Sequence, residues 1–89
     1  MVLNQTFNAL SDPTRRKILQ LLKKKSLSVN ELAGHFDMTL PSLSHHLATL
    51  KGANLVTARR QGQQIFYSLN LSVFEEIAEE IYNYFNKSK

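Results

Sequence analysis

The sequence predicts a mainly α domain carrying one small β-hairpin, and three observations carry that prediction. Apolar residues recur three, four and seven positions apart in several separate stretches, the spacing of one helical face. The period changes to two over residues 55–69, on either side of Gln61-Gly62-Gln63. Stop and start residues fall between the periodic stretches, at Ser11-Asp12-Pro13, Ser28 and Thr39. All 89 residues are expected to form one domain, 1–89.

The first helix is expected over residues 2–10, where Leu3, Phe7 and Leu10 share a stripe. It is too short to stand alone and must dock. Asp12 can cap a second helix, with Pro13 at its first position and its end near Lys24. Ile18, Leu19, Leu21 and Leu22 form its inner side. Lys23, Lys24 and Lys25 suit the negative end of that helix dipole. Arg15, Arg16 and Lys17 sit in the first turn, where the dipole disfavours them, which points to phosphate contact or ion pairing. Ser28 and Glu31 fit a capping box for a third helix, with Leu32, Ala33 and Phe36 facing inward. Thr39 can cap the fourth, and Pro41 is tolerated in its first turn.

The fourth helix carries Leu43, Leu47 and Leu50 on one stripe. Its other side offers Pro41, Ser42, His45, Ala48 and Thr49, with no carboxylate and no bulky apolar group. A helix entering the major groove needs short hydroxyls, imidazoles or amides, and no negative charge toward phosphates. Residues 28–52 thus read as a helix-turn-helix. Leu55 to Arg60 reads as a strand, Gln61-Gly62-Gln63 as a turn, and Gln64 to Leu69 as the return strand. Arg59 through Gln64 form a polar tip with two arginines and no acid, suited to a phosphate backbone. The wing is placed at 55–69. A last helix, 71–86, is expected to begin at Asn70 or Ser72, with Ser72 and Glu75 as a second capping box. Phe74, Ile77, Ala78, Ile81 and Phe85 form its apolar stripe, widened by Tyr84. That is more than one docking face needs. A homodimer is expected, formed through the N- and C-terminal helices by Leu3, Phe7, Phe74, Ile77, Ile81, Tyr84 and Phe85.

Composition narrows the function. Residues 1–70 hold nine Lys/Arg against three Asp/Glu, while 71–89 hold two Lys against four Glu. A basic body suggests a polyanion partner. The absence of cysteine excludes disulfides and thiolate metal sites. No stretch is long and apolar enough for a membrane span, and the N-terminus lacks a signal-peptide pattern, so a cytoplasmic location is expected. No nucleophile, base and oxyanion constellation stands out, so no enzyme activity is expected. His45 and His46 are adjacent, hence about 100° apart on a helix, and cannot chelate one ion together. His46 borders the leucine stripe and reads as a packing residue. His45 points outward, where its titration would make DNA affinity pH-sensitive.

The order α-α-α-α-β-β-α is that of a winged helix-turn-helix. Ala9 to Leu19 (ALSDPTRRKIL), Ser44-His45-His46-Leu47 with Leu50 and Ala53-Asn54-Leu55-Val56, and Ile65 to Asn70 (IFYSLN) resemble three successive motifs of the ArsR family of small bacterial repressors. The resemblance covers nearly the whole chain and is closest to the family's metal-free, SdpR-like branch. Metal-sensing members carry cysteines near the third helix, or His and carboxylate ligands on the last. Here the third helix reads Glu31-Leu32-Ala33-Gly34-His35-Phe36 and the last has no histidine, so no metal or other cofactor is expected. Asn54 stands where the family often has glycine, and asparagine tolerates the left-handed turn. The resemblance implies a homodimeric repressor of an inverted-repeat double-stranded DNA operator, probed first at the protein's own gene. Thr39, Ser42, Ser44, His45, Thr49 and Lys51 would contact bases or nearby phosphates. Arg59, Arg60, Gln61 and Gln63 on the wing, with the basic second helix, would grip the backbone. The competing expectation is a protein-interaction module using the glutamate face of residues 75–80, or a repressor sequestered by a regulatory protein partner.

Overall fold

The computed structural model describes residues 3–86. Val2, expected in the first helix, lies outside the described residues. The elements are α1 (Leu3–Leu10), α2 (Pro13–Leu22), β1 (Leu27–Ser28), α3 (Val29–Ala33), α4 (Leu40–Gly52), β2 (Val56–Gln61), β3 (Gln64–Leu69) and α5 (Leu71–Asn86).

Local chemistry sets most of the boundaries. Asp12 has extended backbone and its carboxylate accepts the Arg15 N–H at 3.1 Å, with Pro13 opening α2. Ser28 Oγ accepts the Glu31 N–H at 3.1 Å, and Glu31 Oε1 accepts the Ser28 N–H at 2.9 Å, a complete capping box. Both acids lie below the ordinary carboxylate range. The main cause is one backbone N–H each, from Arg15 for Asp12 and from Ser28 for Glu31. Thr39 Oγ1 accepts the Ser42 N–H at 3.2 Å and starts α4 at Leu40. The exit from α4 is a Schellman motif. The Leu55 N–H reaches the Leu50 C=O at 3.1 Å and the Asn54 N–H reaches the Lys51 C=O at 2.9 Å. Asn54 sits at φ 61°, the left-handed geometry the sequence allows, and Leu50 and Leu55 are both fully buried across the turn.

Several boundaries differ from expectation. The first wing strand, expected over Leu55 to Arg60, runs Val56–Gln61, which leaves Gly62-Gln63 as the turn. The helix α2 stops at Leu22, not Lys24, as the Lys23 N–H turns back to the Gln20 C=O at 3.2 Å. Regular helix in α3 ends at Ala33. The chain continues to Phe36 in tighter turns, His35 N–H to Leu32 C=O at 3.0 Å and Phe36 N–H to Ala33 C=O at 3.2 Å. The last helix spans Leu71–Asn86 and opens from Asn70, one of its two expected starts, whose C=O accepts from Val73 and Phe74. Ser72 and Glu75 therefore lie within its first turns and the expected capping box is not its cap. One strand was not expected at all. In β1, Leu27 pairs with Tyr67 and Ser28 with Phe66, giving an antiparallel sheet ordered β1-β3-β2. Two residues carry no readable period, so only tertiary pairing defines this strand. It fastens the start of α3 to the wing.

The core forms where α2, α3, α4 and the sheet base meet. Ile18, Leu32, Leu43, Leu47, Leu50 and Leu55 are at most 1% exposed. The α4 leucine stripe thus points wholly inward, each side chain contributing about 1.5–3 kcal/mol at most. Its opposite face is left to solvent. No helix among the described residues is long and apolar enough to cross a membrane.

Candidate nucleic-acid interface

Burying the leucines of α4 dictates what the helix presents outward. Ser42, Ser44, His45 and Lys51 are exposed and Thr49 is half-buried. The Thr49 hydroxyl donates to the His45 C=O at 3.1 Å, which leaves its oxygen only as an acceptor toward any ligand. Thr39 accepts within its own cap, so its free function is the hydroxyl proton.

The wing is a tight hairpin in which Gln61 pairs with Gln64. Gly62 has φ +65° while Gln63 does not share the positive φ, the sign pattern of a type II′ turn. Arg59, Arg60, Gln61 and Gln63 are all exposed. Successive strand residues face opposite ways, so Arg59 and Arg60 flank the ribbon on its two faces. Arg60 Nε donates to the Gly62 C=O at 3.3 Å, leaving its remaining guanidinium donors outward. Between Asp37 and Glu75 the sequence carries no acidic residue, yet it holds Lys51, Arg59 and Arg60. This acid-free segment includes all of α4 and the wing.

The basic start of α2 does something other than expected. Arg15 Nε donates to the Ala9 C=O at 2.8 Å and Nη2 to the Asn8 C=O at 3.0 Å. Arg16 Nη1 donates to the Leu10 C=O at 2.7 Å. These carbonyls close the end of α1, a helix with no basic residue in its own last turn, and the Asn8 C=O also accepts from the Ser11 N–H and hydroxyl. Lys17 Nζ donates to the His35 C=O at 3.2 Å and lies 5.0 Å from the Phe36 ring centroid. The second helix therefore ties α1 and the helix-turn-helix together, and its arginines are not arrayed for phosphate. The signal was present in the sequence: an apolar helix ending bare at Leu10, with two guanidinium groups a short turn away.

His46 is the packing residue the stripe predicts, with an 18% exposed side chain. Its Nδ1 lies 3.1 Å from Arg15 Nη1 and 3.9 Å from Asp12 Oδ2. Among the described residues, no group of three or more His, Asp or Glu is placed to hold a metal ion.

The dimerisation set divides. Leu3, Phe7, Ile81, Tyr84 and Phe85 line one groove of about 380 Å³ between α1 and α5. Phe7, Tyr84 and Phe85 are 50%, 71% and 73% exposed. Ile77 is 7% exposed and Phe74 packs against the core. Ile81 packs against the same core while also lining the groove, so core and groove meet along α5.

A profile described as bacterial regulatory protein, arsR family, matches residues 12–58, more than half of the chain. The chain belongs to the ArsR family. It is 46% identical over 85 residues to a protein named transcriptional repressor SdpR from Bacillus subtilis (strain 168), covering 96% of this chain and 94% of that one. It is 36% identical over 79 residues to the arsenical resistance operon repressor of Staphylococcus aureus, covering 89% of this chain and 76% of that one. The crystal structure of an ArsR family transcriptional regulator matches with a TM-score of 0.85 at 32% identity, over 94% of this chain and 87% of that one. The winged helix-turn-helix expected from the motifs is therefore the fold observed. Membership of a family of transcriptional regulators agrees with the expectation of no enzyme activity. Relatives named as repressors favour the DNA-binding reading over the interaction-module one.

Proposed function

We propose that this ArsR-family protein is a homodimeric transcriptional repressor that binds an inverted-repeat operator and regulates its own gene. The observation that carries this reading is the acid-free segment between Asp37 and Glu75, which presents the polar face of α4 beside the two-sided arginine tip. In a dimer, one α4 enters each major-groove half-site, with half-sites about one helical turn (~34 Å) apart. Ser42, Ser44 and His45 reach base edges, Thr39, Thr49 and Lys51 hold the helix to nearby phosphates, and Arg59, Arg60, Gln61 and Gln63 contact the flanking backbone. The groove of Leu3, Phe7, Ile81, Tyr84 and Phe85 receives the same groove of a second copy. Supporting this, the Cα radius of gyration is 14.2 Å, against about 12 Å for a compact chain of this length. Phe7, Tyr84 and Phe85 stand half or more exposed in one protomer. Such a protein works in the cytoplasm, where bacterial DNA lies.

The test is fluorescence anisotropy with the DNA upstream of the protein's own gene against a scrambled duplex, across a salt series. Tight, sequence-dependent binding with a steep salt slope is expected. Equal weak binding to both duplexes would remove the autoregulatory reading. Sedimentation of Phe7→Glu and Phe85→Glu variants, each expected as a monomer, checks the dimer surface.

A further inference from the structure

The contacts of His46 join three elements at one point. Arg15 holds the end of α1 through the Ala9 and Asn8 carbonyls, and its third contact is Nη1 to His46 Nδ1 on α4 at 3.1 Å. One guanidinium thus bridges the helix that carries Leu3 and Phe7 of the proposed dimer groove and the helix that carries the proposed base-reading face. Arginine has donors only. His46 Nδ1 must therefore offer a lone pair, and the neutral ring must carry its proton on Nε2. Asp12 Oδ2 lies 3.9 Å from the same atom.

We infer that Arg15 and His46 are positioning residues that lock α4 to the end of α1, and that the lock holds only while His46 is neutral. Protonation would place a hydrogen on Nδ1. The Arg15 contact then becomes two like charges at close range, and Nδ1 becomes a donor toward Asp12. The ring has one Nδ1 and cannot serve both partners. In the charged state α4 is tied to the cap of α2, and the bridge to α1 is broken. His46 faces Arg15 and Asp12 from the start of α2, and stands 6.0 Å, centroid to centroid, from His45 on its own helix. Asp12 is hydrogen-bonded by the Arg15 N–H, lies below the ordinary carboxylate range and remains charged wherever a histidine titrates. Acid therefore exchanges one partner for the other. Protonation of the outward His45 would act oppositely, strengthening attraction to phosphate.

This inference rests on the repressor reading, and its test separates the two. Operator affinity is measured for the wild type and for His46→Asn at about pH 7.5 and about pH 5.5. Asparagine places a carbonyl oxygen near the Nδ1 position, accepts from Arg15 and does not titrate. The expectation is equal affinity, within about twofold, at the higher pH. At the lower pH the wild type should bind roughly three- to tenfold more weakly than His46→Asn, the scale of one lost hydrogen bond. His45 and His35 are common to both proteins, so their contributions cancel in the ratio. A ratio that does not change with pH overturns the lock. In Arg15→Gln the same His46→Asn substitution should leave the ratio flat, as expected for two residues acting as one unit. The tautomer is read without DNA, from long-range proton–nitrogen NMR couplings of the His46 ring. A proton on Nε2 near neutral pH is expected, and a proton on Nδ1 overturns the inference. Wild-type protein that fails to bind any operator would end the repressor reading, while the NMR result still decides the lock.

Discussion

Two arginine pairs stand in this chain, Arg15-Arg16 and Arg59-Arg60, and in sequence they look alike. Neither has an acid within two positions on either side. The fold separates them completely. Arg15 and Arg16 begin a helix beside the carbonyl end of another, and both guanidinium groups close on those carbonyls at 2.7–3.0 Å. Arg59 and Arg60 lie on a two-stranded ribbon whose backbone groups already pair with Phe66 and Ile65. β2 is an edge strand and Arg60 Nε takes the Gly62 C=O at 3.3 Å, but Arg59 and the remaining Arg60 donors are exposed to solvent and to whatever polyanion arrives. The difference lies in the neighbouring backbone. A cation beside the carbonyl end of a helix becomes structural, and a cation near the tip of an exposed hairpin keeps donors available.

The sharpest way to break that contrast is Arg15→Gln. It removes donors to Ala9, Asn8 and His46, and should cost about 2–3 kcal/mol of folding stability, lowering Tm by roughly 10 °C in a domain of this size. Operator affinity should fall because α4 is less well held, but the slope of affinity against salt should keep its value. A reduced slope would mean that Arg15 contacts phosphate after all. The matching wing change is Arg59→Ala with Arg60→Ala. Its signature is reversed: Tm unchanged, binding to cognate and scrambled duplexes weakened alike, and the salt slope reduced by about 1.8, near 0.9 per phosphate contact. A third substitution, His45→Ala, separates grip from reading. It should lower cognate over non-cognate discrimination by about 1–3 kcal/mol with the slope little changed. Equal loss on both duplexes would assign His45 to the backbone with the wing arginines.

The same contrast explains what was legible in the sequence. The α4 helix, its leucine stripe, its Thr39 cap and the left-handed exit at Asn54 could all be read, because each follows from residues within a turn of one another. The hairpin could be read for the same reason, from Gly62 and the period of two. What could not be read depends on contacts distant in sequence. The strand β1 exists only because Leu27 and Ser28 meet Tyr67 and Phe66. Arg15 reaches His46, 31 positions away. Phe74 and Ile77 belong to the same stripe as Ile81 and Phe85, and periodicity alone cannot say where along α5 the protomer's own core ends. In the proposed DNA-contact set, the sequence identifies residue types that suit the surface. Whether Thr49 has a proton to give depends on its bond to the His45 carbonyl.

Arg16 is the boundary case, with the smallest expected effect and the finest test of the rule. It is exposed, as the wing arginines are, yet bonded to the Leu10 carbonyl at 2.7 Å, as Arg15 is bonded to Ala9 and Asn8. Exposure weakens what that bond contributes, because water can replace the donor. Arg16→Gln should therefore cost about 0.5–1 kcal/mol, at the low end for a hydrogen bond. The cost should appear as a Tm shift of a few degrees, since α1 is short and depends on its docking. If available backbone acceptors decide a cation's role, the salt slope of operator binding stays where it was. If exposure decides it, Tm holds and the slope falls by about 0.9, the signature of one lost phosphate contact. The two outcomes differ in kind, so even a small effect at Arg16 discriminates between them.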